Sequence, residues 1–200
     1  MLHVARSVRA HNEEAHMIPT IVVLALIGVL FLWAIGIYNK LTRKRITANG
    51  AWSDIDVQLK RRYNLIPNLV ETVKGYAKHE RETLENVTKA RQQAIDASGV
   101  QDQAMAENML TGALRQLFAL SESYPDLKAN QNFMQHQEEL TSTENKIGFS
   151  RQHYNKTAAQ YNEAIAVFPN NVLAGMFSFN VMDFFELDDE AQREAPKVQF

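Results

Sequence analysis

The chain has 200 residues and a net charge of −2, with 21 basic against 23 acidic side chains. That near-balance gives no global case for nucleic acid or for an acidic partner. The absence of cysteine removes disulfides, thiol nucleophiles, lipoprotein attachment and iron–sulfur chemistry, while scarce Gly and Pro favour long helices over a sandwich or barrel.

Residues 1–16 carry Arg6, Arg9, three histidines and Glu13–Glu14 without a period, which predicts a disordered tail. Met17, directly before the apolar run, is a candidate start of a shorter chain. From Ile18 to Tyr38 about twenty residues pass without a charge or a histidine. At ~1.5 Å per residue this spans the ~30 Å core of a bilayer, so residues 17–38 are expected to form a single transmembrane helix. Pro19 suits a first helical turn. A cleaved signal peptide is the rival, but the run exceeds a typical apolar signal region and the Trp33-Ala34-Ile35-Gly36 cleavage pattern is weak. Trp33 and Tyr38 are expected at the membrane interface with the basic group Lys40, Arg43, Lys44 and Arg45. Positive charge on that side puts the bulk of the chain in the cytoplasm, and the same group can attract anionic headgroups.

Residues 39–169 read as a helical body. Trp52, Ile55, Leu59 and Tyr63 form one stripe, and Pro67 predicts a kink or a fresh start. A second stripe follows through Leu69, Val73, Ala77, Leu84, Val87 and Ala94 to Ser98-Gly99. A third helix is expected over 101–123, stopped by Tyr124-Pro125-Asp126. In the fourth, Phe133, Leu140, Ile147, Tyr154, Tyr161 and Phe168 fall at seven-residue intervals before Pro169. That period supports a bundle or coiled-coil seam. The fold class is therefore all-α: a transmembrane helix followed by an antiparallel four-helix bundle. Residues 170–200 are expected to fold back on it, ending in an extended Pro196–Phe200.

Long stretches of this body resemble the LemA family of bacterial membrane-anchored proteins. They are Ala51–Tyr63, Leu65–Glu71, Tyr124–Asn130, Leu140–Ile147 and Arg193–Val198, in family order. The resemblance implies a short outer N-terminus, one membrane helix and a helical bundle. It implies no established enzymatic activity and transfers no catalytic residue. Relatives include magnetosome-associated proteins, and members can be encoded beside membrane protease genes.

The chemistry-bearing residues are sparse. The sole Glu-x-x-His is Glu13 to His16, before the span, and His79-Glu80-Arg81-Glu82-Thr83 lacks the second histidine of a zinc-protease helix. His136 and His153 have no partners nearby in sequence. Neither a nucleophile elbow nor a glycine-rich phosphate loop occurs. No catalytic residue, cofactor, metal or small-molecule substrate is expected. Glu80, Arg91, Gln137, Glu144 and Arg151 lie at seam spacing and form either a buried ionic cluster that fixes register or a stripe turned toward solvent. Phe177, Phe179, Phe184 and Phe185 form either a partner-binding patch or a cap on the protein's own core. The expected role is a non-catalytic membrane scaffold or adaptor, a homo-oligomer or one that recruits a membrane protein. The alternative is an accessory, regulatory subunit of a membrane-bound protease.

Overall fold

Pro67 removes the backbone N–H that would reach the carbonyl of Tyr63 one turn earlier, yet the helix that contains it does not end there. A computed structural model describes residues 2–186, with side chains over 19–186, and its first helix α1 runs Leu2–Tyr76. The orphaned Tyr63 carbonyl accepts a hydrogen bond from Arg91 Nε at 2.7 Å. The fresh start expected at Pro67 is therefore replaced by a break at residues 77–80, where α2 (Arg81–Asp96) begins after a turn. We expect Arg91→Met to cost ~1–3 kcal/mol, the penalty of a stranded polar group. Adding Pro67→Ala should recover part of that, because the new N–H satisfies the same carbonyl. Chemical denaturation of the four variants of this cycle checks it, and additive losses would sink the compensation.

Four more helices follow: α3 (Val100–Ser121), the single turn α4 (Pro125–Lys128), α5 (Gln131–Ala166) and α6 (Asn170–Met176). No strand occurs among the described residues and helix accounts for 85%, so the chain is all-α. Gly99 joins α2 to α3 at φ 87°, a left-handed conformation that side chains disfavour. Pro125 opens α4 at a position where no N–H is needed.

The chain forms two compact units. One takes the residues up to Lys44 together with Glu163–Asn180. Its apolar span, Ile21 to Ile35, is largely exposed, and α1 from Pro19 contains a stretch long and apolar enough to cross a membrane. Tyr38 packs edge-on against Phe177 and Phe179, at 5.0 and 5.5 Å between ring centres. A shallow depression is lined by Trp33, Gly36, Ile37, Lys40, Pro169 and Asn170.

The other unit holds Arg45–Asn162 and the chain from Val181. Its core joins Ile55, Leu59, Ile66, Leu69 and Val73 of α1 to Val87 of α2, Leu110 and Leu117 of α3, and Phe133, Ile147 and Tyr154 of α5. Small residues on α2 and α3 (Ala90, Ala94, Ala104 and Ala106) are buried in the same core and need little space between helices. The seven-residue series of α5 is buried from Phe133 through Tyr161. It stops there, since Phe168 lies beyond the helix end and is 82% exposed. The tail expected over 1–16 and the extended end Pro196–Phe200 lie outside the residues with described side chains.

Candidate functional site: a buried ionic hub and the groove above it

The α1 stripe Ile55, Leu59, Ile66, Leu69 has one position filled by a cation, Arg62. The residue is 3% exposed, and a buried charge is tolerated only when paired and hydrogen-bonded. Arg62 Nη1 donates to Glu107 Oε2 of α3 at 3.0 Å and lies 2.9 Å from Glu144 Oε2 of α5. Its Nη2 donates to the Thr111 hydroxyl at 2.9 Å. One guanidinium thus ties together three helices.

The fully buried Glu107 is served from a second side. The Tyr63 hydroxyl donates to its Oε1, and Gln103 Nε2 donates to the Tyr63 oxygen at 2.8 Å and to the Ala94 carbonyl of α2 at 3.0 Å. Gln103, Glu107 and Thr111 recur every four residues, so they share one face of α3. Together with Arg91 on the Tyr63 carbonyl, the network touches every long helix of the unit.

Burial pushes the Glu107 carboxyl above the ordinary carboxylate range, while Arg62 pulls the other way. The Tyr63 hydroxyl is also pushed up, first by its own burial and then by the Glu107 charge. A raised pKa means that the folded chain holds the proton more tightly than the unfolded one. The stability it contributes is complete below the ordinary glutamate value of ~4.3 and is lost as pH rises through the folded value. We expect the wild type to lose stability relative to Glu107→Gln as pH rises from ~4. Denaturation midpoints across that range measure it, and a gap that widens in favour of the wild type would refute the sign.

The structure distributes the five seam residues among different tasks. Glu144 joins the hub and Arg91 serves the Tyr63 carbonyl. Glu80 accepts from the Tyr124 hydroxyl at 3.0 Å, which raises the tyrosine's pKa. Gln137 is exposed, and half-buried Arg151 lines a groove instead of an ion pair. Sequence reasoning passed over Arg62, Tyr63, Gln103, Glu107 and Thr111 as hub members. The signal was an arginine on an apolar stripe facing a polar four-residue repeat.

That groove, of about 410 Å³, has buried Leu114 and Leu140 and half-buried Phe118 in its lining. Arg115 of α3 and Arg151 of α5 also line it, and among the described residues neither has an ion pair or hydrogen bond. No group of His, Asp and Glu able to hold a metal occurs among the described residues. The aromatic segment divides: Phe179 and Phe185 are buried, Phe177 and Phe184 exposed. Of the expected interface group, Trp33, Tyr38, Lys40 and Arg43 are exposed, and Lys44 and Arg45 half-buried.

The sequence profile of the LemA family matches residues 51–200. Protein LemA of Metamycoplasma hominis is 29% identical over 74% of this chain and 68% of its own length. Magnetosome protein MamQ of Magnetospirillum gryphiswaldense is 25% identical, again over 74% of this chain, and the chain spans 64% of that protein. A magnetosome protein MamQ of Paramagnetospirillum magneticum is 24% identical over the same shares. None of these names specifies an enzymatic reaction.

Proposed function

The chain belongs to the LemA family, and from that premise we propose that it is a membrane-anchored, non-catalytic helical scaffold or adaptor. It self-assembles or recruits a membrane protein, with its four long helices as an antiparallel bundle on the cytoplasmic side. The observation that carries this reading is that one helix, α1, bears both the apolar span and Arg62, the hub residue of the folded body. The buried titratable groups Tyr63 and Glu107, both with raised pKa, are engaged with one another and with Arg62 in a packed core, and so serve architecture.

The first unit supports a second contact with the bilayer. Phe168, Met176 and Phe177 are exposed in the unit that holds Trp33, Tyr38 and Lys40. Exposed aromatic and apolar side chains beside interfacial aromatics and a lysine match the chemistry of a headgroup boundary.

The test is the native mass of the full-length protein, extracted gently from its own membrane. A discrete homo-oligomer is expected for the scaffold, or a complex with one membrane protein in fixed ratio for the adaptor. A bare monomer would overturn the reading.

A further inference from the structure

The stretch Val181–Glu186 is held on α5 by two asparagine side chains used in the same way. Asn162 Nδ2 donates to the Met182 carbonyl at 2.8 Å, and the Met182 N–H donates to Asn162 Oδ1 at 2.9 Å. Asn155 repeats this with Phe185, at 3.1 and 2.9 Å. Each amide imitates one backbone unit, so the pair forms two rungs of a ladder between a helix and a non-helical segment.

The spacing of the rungs is general. Seven helical residues advance ~10.5 Å, and three residues of extended chain advance ~10 Å. The segment therefore runs against the direction of α5, three of its residues for seven of the helix. Carried on at the same spacing, a next rung would pair position 188 with position 148.

What waits there is suited to it. Residue 148 is glycine, and an added Cβ would meet nothing within 4 Å, so the helix surface is bare at that rung. Gly148 lines the groove with Arg151 of the same helix and Arg115 of α3; Glu144 also lines it, its charge already met by Arg62. The chain beyond Glu186 reads Leu187, Asp188, Asp189, Glu190.

We propose that this acidic segment continues along α5 into the groove, with Asp188 at Gly148 and its carboxylates against Arg151 and Arg115. The groove is a docking site for the chain's own C-terminal segment. Direction, rung spacing, the bare glycine and charge complementarity all select the same occupant.

The absence of cysteine makes the test clean. In the full-length protein, Gly148→Cys with Asp188→Cys should form an intrachain disulfide under mild oxidation. It should do so at least tenfold faster than Gln152→Cys with Asp188→Cys. A tail free beyond Phe185 would reach both positions at similar rates, because the tether from the Asn155 rung is the same and Gln152, exposed on the same helix, lies nearer to that rung than Gly148. Rates within about twofold of each other would overturn the proposal. So would disulfide-linked dimers as the main product, which would place a second copy's tail in the groove. Introducing Arg115→Glu and Arg151→Glu into the 148–188 pair should slow closure several-fold through repulsion of Asp189 and Glu190. An unchanged rate there would overturn the electrostatic assignment, and unchanged helical circular dichroism shows that these variants remain folded.

Discussion

Arg62→Met is expected to cost ~3–5 kcal/mol, the penalty for removing one member of a buried ion pair. Methionine fills most of the volume of the arginine stem, so the loss is electrostatic more than steric. It leaves Glu107 fully buried with only the Tyr63 hydroxyl and Gln103 amide nearby. It also releases the contacts from α1 to Thr111 and to Glu144. The effect should shrink toward acid pH, because a protonated Glu107 no longer needs a counter-ion. Arg62→Met with Glu107→Met should be far less damaged than the single variant, since hydrophobic replacement of a whole buried pair is often neutral or favourable. Arg151→Met provides the contrast. Any pairing it makes at the open groove is screened by solvent and leaves no buried charge behind, so it should stay within ~1 kcal/mol of wild type. Urea denaturation of the detergent-extracted protein at two pH values measures all four chains. A loss at Arg62→Met no larger than at Arg151→Met would show that the hub does not brace the body.

The sequence exposes periodic features well and hides the ones that depend on what lies opposite. The apolar run to Tyr38 and the seven-residue series from Phe133 to Tyr161 are legible because each is repeated many times along one element. Phe168 continues that series in sequence only, since Pro169 ends the helix first. Pro67 looked like a break because the rule concerns the lost N–H. The rule is silent when a side chain from another helix, Arg91, supplies the missing donor. Arg62 is hidden for a related reason. A lone arginine on an apolar stripe is read as a stripe edge unless Glu107 is known to face it, and the two are far apart in sequence. The aromatic segment is divided by a property that no periodicity carries, which residue points inward from a stretch without helix. Asn155 and Asn162 decide that, and their seven-residue spacing on α5 matches the segment only once its direction is known.

Phe185→Ala is expected to cost ~3–5 kcal/mol, in the range for a buried phenylalanine. Its ring is fully buried and meets Trp52 edge-on at 5.4 Å between centres, and Tyr154 meets Trp52 in the same way at 5.2 Å. Truncation leaves a cavity beside Trp52, whose ring is itself packed against Tyr154, so collapse cannot fill it cheaply. The Tyr154 hydroxyl is committed too, donating to the Asp183 carbonyl at 2.8 Å. The loss should also loosen the Asn155 rung, because the amide pair holds a backbone whose apolar anchor has gone. Phe184→Ala, one residue away and 42% exposed, should move stability by no more than about 0.5 kcal/mol. Phe177→Asp, at a 52% exposed position in the other unit, should leave the hub-braced body folded. Denaturation followed by circular dichroism separates the three. Equal losses at Phe184 and Phe185 would mean that the segment lies on the body without an inward anchor. An insoluble Phe177→Asp protein would move that residue from the exposed group to the core. The pattern of one large loss beside two small ones is what distinguishes a segment pinned by a single ring from an aromatic patch held ready for a partner.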